Sequence, residues 1–138
     1  MVSRGEGFPL PPASGSYQAE TGVAMSDQAR LIERGLLTIS SEPHTAAHLV
    51  TASGELDGFN ARELEDELIR LERDGCSQIV LNLGRLELID STGLAVIVKA
   101  HRRMEKMDYS LIVVRPQGQQ ARRAFELSGL DKTLSFVY

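Results

Sequence analysis

The sequence predicts an α/β fold, a mixed β-sheet covered by helices in the order β-β-α-β-α-β-α-β. Three observations carry this. Short runs rich in Leu, Ile and Val alternate with longer segments whose apolar residues recur at helical spacing. The first two runs are joined by a short polar loop, as in a hairpin, whereas the later ones are separated by helical segments, as parallel strands require. With 138 residues, 42% hydrophobic and 25% charged, the chain has the length and composition of one soluble domain.

Residues 1–24 hold Pro9, Pro11 and Pro12, several Gly and Ser, and little apolar periodicity, so burial there cannot offset the entropy of ordering. A flexible N-terminal extension is predicted over residues 1–35. Within it, Met25-Ser26-Asp27 offers a second start, and Asp27 to Arg34 is expected to make a short helical turn stopped by Gly35. The domain proper is placed at 36–138.

Strand character begins at Leu37-Thr38-Ile39-Ser40 and returns, after a loop with Pro43 and His44, at His48-Leu49-Val50-Thr51-Ala52. Gly54-Glu55-Leu56-Asp57 leads into Gly58, where the chain is expected to turn. Asn60 is read as the cap of a helix from Ala61 to Arg73, with Leu64, Leu68 and Leu71 on one face and Asp74-Gly75 at its end. Ile79 to Leu83 is almost wholly apolar and predicts a strand covered on both faces.

Leu86, Leu88 and Ile89 then approach Asp90-Ser91-Thr92-Gly93, after which Leu94, Ile97, Val98, His101 and Met104 mark the face of a central helix. Tyr109 to Val114 gives the next strand, and Pro116-Gln117-Gly118 breaks it. A helix from Gln119 to Leu127 buries Ala121, Ala124 and Phe125, with Gly129 beyond its end, and Leu134 to Val137 returns as a last short strand.

The formal charge of −4 and the absence of Trp give no general basis for nucleic-acid binding. A lone cysteine, Cys76, rules out an intrachain disulfide and fits a reducing compartment. No apolar run approaches the ~18 residues that cross a bilayer, and no secretory signal pattern opens the chain. A cytoplasmic protein with no direct nucleic-acid or membrane partner is expected.

Candidate chemistry is sparse. Asp57, Glu87 and Asp90 read either as a metal- or phosphate-handling cluster or, in the favoured reading, as turn residues that organise loop backbone. His44 and His48 have a metal spacing only on a helix, and their surroundings read as loop and strand, so neither metal nor cofactor is expected. His101 is read as a boundary core residue and Cys76 as a passive thiol. Lys99, Arg102, Arg103 and Lys106, with Arg122 and Arg123, read as a solvated basic face. No catalytic constellation is present, and the chain is read as a non-enzyme.

Ser91 stands apart, because it sits where the chain enters a helix, with unpartnered N–H groups and a positive dipole close by. Either Asp90 or Ser91 simply caps the helix, or Ser91 accepts a phosphate. The two readings are compatible.

Taken together, Gly54-Glu55-Leu56-Asp57, the run Ile79 to Leu83, Ile89-Asp90-Ser91-Thr92-Gly93-Leu94 and the closing Phe125-Glu126-Leu127-Ser128-Gly129-Leu130-Asp131-Lys132 resemble the STAS domains of bacterial anti-sigma factor antagonists. The resemblance implies a STAS-like single domain. Independently of it, Asp57 and Asp90 each lie where a strand gives way to a helical segment, and because such loops collect at one end of the sheet the GELD and DSTGL loops are expected to be neighbours. The resemblance also implies a protein that binds an anti-sigma factor when unphosphorylated and so frees a sigma factor. The anti-sigma factor, a serine kinase using its own ATP and Mg²⁺, would phosphorylate Ser91, with Thr92 the lesser candidate, and a serine phosphatase would reset the protein. Asp57, Gly58, Phe59, Asp90, Ser91, Thr92 and Gly93 would face the partner. Departures from the pattern are Thr92 where Ser is frequent, Asn82 where Asp is frequent, the aromatic Phe59 and the N-terminal extension. The alternatives are a STAS scaffold or subunit of a larger sensory or transport complex, and an enzyme or phosphoacceptor using Asp57 and Asp90. Oligomeric state is left open.

Overall fold

The computed structural model describes residues 29–132, 134, 136 and 137. Alternation of side chains sets its strands. In β2 (Leu37–Pro43) and β3 (His48–Leu56) every second residue, Leu37, Ile39 and Ser41 on one and His48, Val50 and Ala52 on the other, is buried, and the two strands pair antiparallel. In β4 (Gln78–Asn82) and β6 (Ser110–Val114) the same period buries Ile79, Leu81, Leu111 and Val113, so one face of the sheet is continuous core.

The predicted burial of the central strand on both faces is corrected here. Val80 and Asn82 point to the opposite face and remain partly exposed. The chain passes from β3 to β4 and on to β6 in parallel, and crossovers of one hand in one direction along the sheet put their helices on a single side.

Those helices are α1 (Ala61–Arg73), α2 (Ser91–Lys106) and α3 (Gln119–Ser128). Leu64, Leu68 and Leu71 of α1, Val96, Ile97, Ala100 and Met104 of α2, and Ala121 and Phe125 of α3 are buried in one cluster with the sheet residues. Each large side chain there contributes about 1.5–3 kcal/mol. The two central helices are also clamped by charge. Arg103 of α2 donates a forked pair of bonds, 2.8 and 2.9 Å, to the buried carboxylate of Glu72 on α1.

Two strands were not anticipated. Residues Arg30–Arg34, expected as a helical turn within the extension, form β1, antiparallel to β2 and joined to it by the two-residue turn Gly35–Leu36. The strand is held from two sides, since its backbone pairs with β2 and Arg30 reaches the buried Glu67 of α1 at 3.2 Å. The domain therefore starts at or before Arg30, and the rest of the predicted extension, with the second start at Met25, lies outside the described residues. The apolar approach to Asp90 is likewise a strand, β5 (Leu86–Ile89), which pairs parallel with the far half of β3 past a bulge at Gly54/Glu55. A 3-10 turn at Leu130–Lys132 follows the left-handed cap at Gly129, and β7 is Phe136–Val137 within the predicted last strand.

Candidate functional site

β3 and β5 run side by side and end together, so the two loops that follow them meet. The first loop is a turn over Asp57–Asn60 leading into α1. The second is Asp90, leading into α2.

Asn60 builds the first loop. The residue is 1% exposed. Oδ1 accepts from the Asp57 N–H at 2.9 Å, and Nδ2 donates to the Glu55 carbonyl at 2.9 Å and the Arg34 carbonyl at 3.4 Å. Asn60 was predicted to cap α1, but it makes no capping bond; it ties the turn back to the strand and to the β1–β2 hairpin. Asp57 completes the turn by accepting from the Phe59 N–H at 3.0 Å, as the favoured turn reading expects.

Asp90 joins the loops. One carboxylate oxygen accepts from the Gly93 N–H at 3.0 Å and caps α2, while the other accepts from the Gly58 N–H at 3.0 Å across the gap. Of the two cap candidates read from the sequence, the cap is therefore Asp90. Ser91 is the first residue of α2 and is exposed, and its hydroxyl makes no hydrogen bond among the described residues. The first intrahelical bond runs from Leu94 N–H to the Asp90 carbonyl, so the N–H groups of Ser91 and Thr92 have no partner within the helix. Thr92 is also exposed, and a side chain at Gly58 would stand 3.7 Å from its hydroxyl.

The remaining predicted residues divide. Gly58 and Phe59 are exposed beside Ser91's loop, and Asp57 and Asp90 are half-buried. Gly93 is buried, which corrects its place among the partner-facing residues. A Cβ there would lie 2.8 Å from Ile89 Cγ1 and Leu56 Cγ, so its task is to let α2 approach the sheet. Glu87 stands three residues up β5 from Asp90, roughly 10 Å at strand spacing, and is not part of the same cluster.

The other candidates stay apart from this end of the sheet. His48 lies at the opposite end of β3, buried and bonded to Ser41 Oγ at 2.9 Å, and burial is the main cause that holds its pKa below 6.5. His101 is buried in α2. Burial pushes the Cys76 thiol upward, which makes it a poor nucleophile. Among the described residues, no group of three or more His, Cys, Asp or Glu is placed to hold a metal ion. Asn82, where the resemblance has Asp, accepts from the Gly84 N–H at 2.9 Å.

Residues 38–138 match the model of the STAS domain. The chain belongs to the STAS domain family. An anti-sigma-B factor antagonist of Staphylococcus aureus is 31% identical over 94 residues, which is 68% of this chain and 86% of that protein. An anti-sigma factor antagonist from Mycobacterium paratuberculosis superposes with a TM-score of 0.66 at 30% identity, covering 72% of this chain and 84% of the other. The fold alone is shared with the phosphorylated form of the Bacillus cell fate determinant SpoIIAA, with a TM-score of 0.57 at 22% identity and coverage of 72% and 91%. The relatives of this STAS domain are thus regulators, and no helix among its described residues is long and apolar enough to cross a membrane.

Of the residues that shape the site, sequence reasoning missed two. Asn60 was assigned the wrong bond, although an Asn three residues after an Asp at a strand end is a turn signal as well as a cap signal. Leu36 was read only as the place where strand character begins, because only the hairpin that β1 makes brings it to this end of the sheet, where its carbonyl accepts from the Glu55 N–H.

Proposed function

We propose that this STAS domain is an anti-sigma factor antagonist that binds an anti-sigma factor serine kinase in its unphosphorylated state, frees a sigma factor, and is switched off by phosphorylation of Ser91. The observation that carries the reading is the division of labour at the start of α2. Asp90 does the capping, which leaves the Ser91 hydroxyl exposed at a helix N-terminus and without a hydrogen bond among the described residues. A kinase can reach that oxygen without opening the fold.

In the step proposed, the Ser91 Oγ–P bond forms as the bond from the ATP γ-phosphorus to ADP breaks, and the hydroxyl proton passes to a base of the kinase. ATP and Mg²⁺ belong to the kinase. A serine phosphatase returns the hydroxyl by hydrolysis.

The product carries roughly −1.5 to −2 charges more at pH 7. Within the domain that charge meets the N–H groups of the first turn and the positive end of α2, so the fold tolerates it. At an interface fitted to a neutral hydroxyl beside Asp57 and Asp90, like charges cost several kcal/mol. About 2.8 kcal/mol is already a hundredfold loss of affinity. The names of the relatives support the antagonist role, and SpoIIAA, of the same fold, exists in phosphorylated and unphosphorylated forms.

The test is to incubate the protein with purified kinase-type anti-sigma factors of its own cell, together with the anti-sigma-B factor of Staphylococcus aureus, in Mg-ATP and to locate phosphate by mass spectrometry. Phosphate on Ser91 is expected; phosphate confined to Thr92, or none with a kinase that binds, contradicts the reading. Ser91→Ala should bind persistently and Ser91→Asp at least tenfold more weakly. Equal affinities would favour a scaffold role instead.

A further inference from the structure

The largest exposed apolar side chains near Ser91's loop are Phe59, 64% exposed, and Leu36, 68% exposed. They come from different parts of the chain, and neither is loose. The Phe59 ring lies against Gly35, where a Cβ would be only 3.1 Å from it, and the Arg34 guanidinium covers it at 4.6 Å from the centroid. The Leu36 carbonyl accepts from the Glu55 N–H at 3.0 Å, and Asn60 bonds both the Glu55 and Arg34 carbonyls. The hairpin tip and the Asp57–Asn60 turn are thus one ordered unit that presents two apolar side chains to solvent. An ordered anchor loses little entropy on docking, which is how a small cluster comes to dominate an interface.

Part of this unit lies outside the residues that match the family model. The match to the STAS model begins at residue 38, so β1, Gly35 and Leu36 lie before it. The patch also continues directly into the candidate site, because Gly58, next to Phe59, is bonded to Asp90, and Asp90 precedes Ser91.

We propose that Leu36 and Phe59, held by Arg34 and Gly35, are an apolar anchor that docks in a recess of the anti-sigma factor and selects this chain's partner from related ones. The proposal rests on the reading that the chain binds an anti-sigma factor, and it is independent of whether Ser91 is phosphorylated. The recess fits an aromatic ring beside a branched aliphatic side chain, while Arg34, paired with Glu63 at 3.9 Å, stays with its own chain and backs the ring. A second copy of the chain is a poorer occupant. Two side chains fall well short of the ~800 Å² per partner of a stable interface, whereas at the edge of a larger surface centred on Ser91 they are of the right size.

The test is a titration of the wild type, Leu36→Ser, Phe59→Ser, the double variant and Ser91→Asp against the kinase-type anti-sigma factors of the chain's own cell, with thermal unfolding of each variant as a folding control. Leu36 is exposed and is not a member of the core cluster, so Leu36→Ser is the decisive variant. Each single substitution should weaken binding about tenfold and the double more, while the unfolding midpoint of Leu36→Ser stays that of the wild type. Wild-type affinity for the hairpin variants alongside loss for Ser91→Asp overturns the anchor and leaves the Ser91 reading standing. The reverse pattern supports the anchor and removes the switch. A wild type that binds none of these factors overturns both, and a dimer in light scattering that Leu36→Ser makes monomeric overturns the anchor by giving the patch to a second copy.

Discussion

Ser91 and Gly93 sit two residues apart and do opposite things. The first turn of α2 has to expose one side and bury the other against Leu56 and Ile89, and the sequence answers with a hydroxyl outside and no side chain inside. Gly93→Ala should therefore destabilise the domain by about 1–3 kcal/mol, the usual cost of overpacking. A lower midpoint in urea with an unchanged slope would show this. An unchanged midpoint would mean that α2 has room to lift from the sheet. That Asp90 rather than Ser91 caps the helix was open in the sequence, because both residue types favour that position. The geometry of β3 and β5 decides it by carrying Asp90 within reach of Gly58 as well.

Among the elements, the hairpin of β2 and β3 has its own control at the end far from Ser91. His48, at the start of β3, is held in its neutral form chiefly by burial. Arg70 and His44 act in the same sense, and Glu67 and Asp74 oppose them. In the unfolded chain the imidazole titrates near 6.5. Below that pH the unfolded state takes up the proton first, so stability falls as pH drops from about 6.5 to the lower folded pKa, at no more than about 1.4 kcal/mol per pH unit. Denaturant titrations between pH 7.5 and 5 should show this decline in the wild type and a flatter profile in His48→Gln; parallel profiles would contradict it.

The elements also show where the sequence was legible. Helices with long apolar stripes, such as α1 with Leu64, Leu68 and Leu71, could be placed almost to the residue. Strands with clean alternation begin where the sequence predicts, but β2 runs three residues past Ser40 and β3 four past Ala52. β1 could not be placed, since Arg-Leu-Ile-Glu-Arg has no long period of its own and becomes a strand through pairing with β2 and the reach of Arg30 to Glu67, both non-local. β5 is four residues long and was hidden for the same reason. The apolar run of β4 suggested two covered faces, yet all the crossovers put their helices on one side.

For the whole molecule, the sequence located both halves of the candidate site and the strand-to-helix order predicted that they meet; what no local pattern records is the pairing of β5 with the far half of β3 that ends both at the same level. The architecture then assigns separate duties. The sheet and its single layer of helices hold the core, and the candidate site stands outside that core at the end of β3 and β5. A charge added at Ser91 should thus change what the domain binds and not whether it is folded. The most direct measurement compares the protein phosphorylated at Ser91 with the unmodified protein, reading the dissociation constant for the anti-sigma factor and the thermal unfolding midpoint on the same samples. The account predicts a loss of affinity of about a hundredfold with an unfolding midpoint close to that of the unmodified protein. Equal affinities, or a loss of affinity that comes with unfolding, would contradict it.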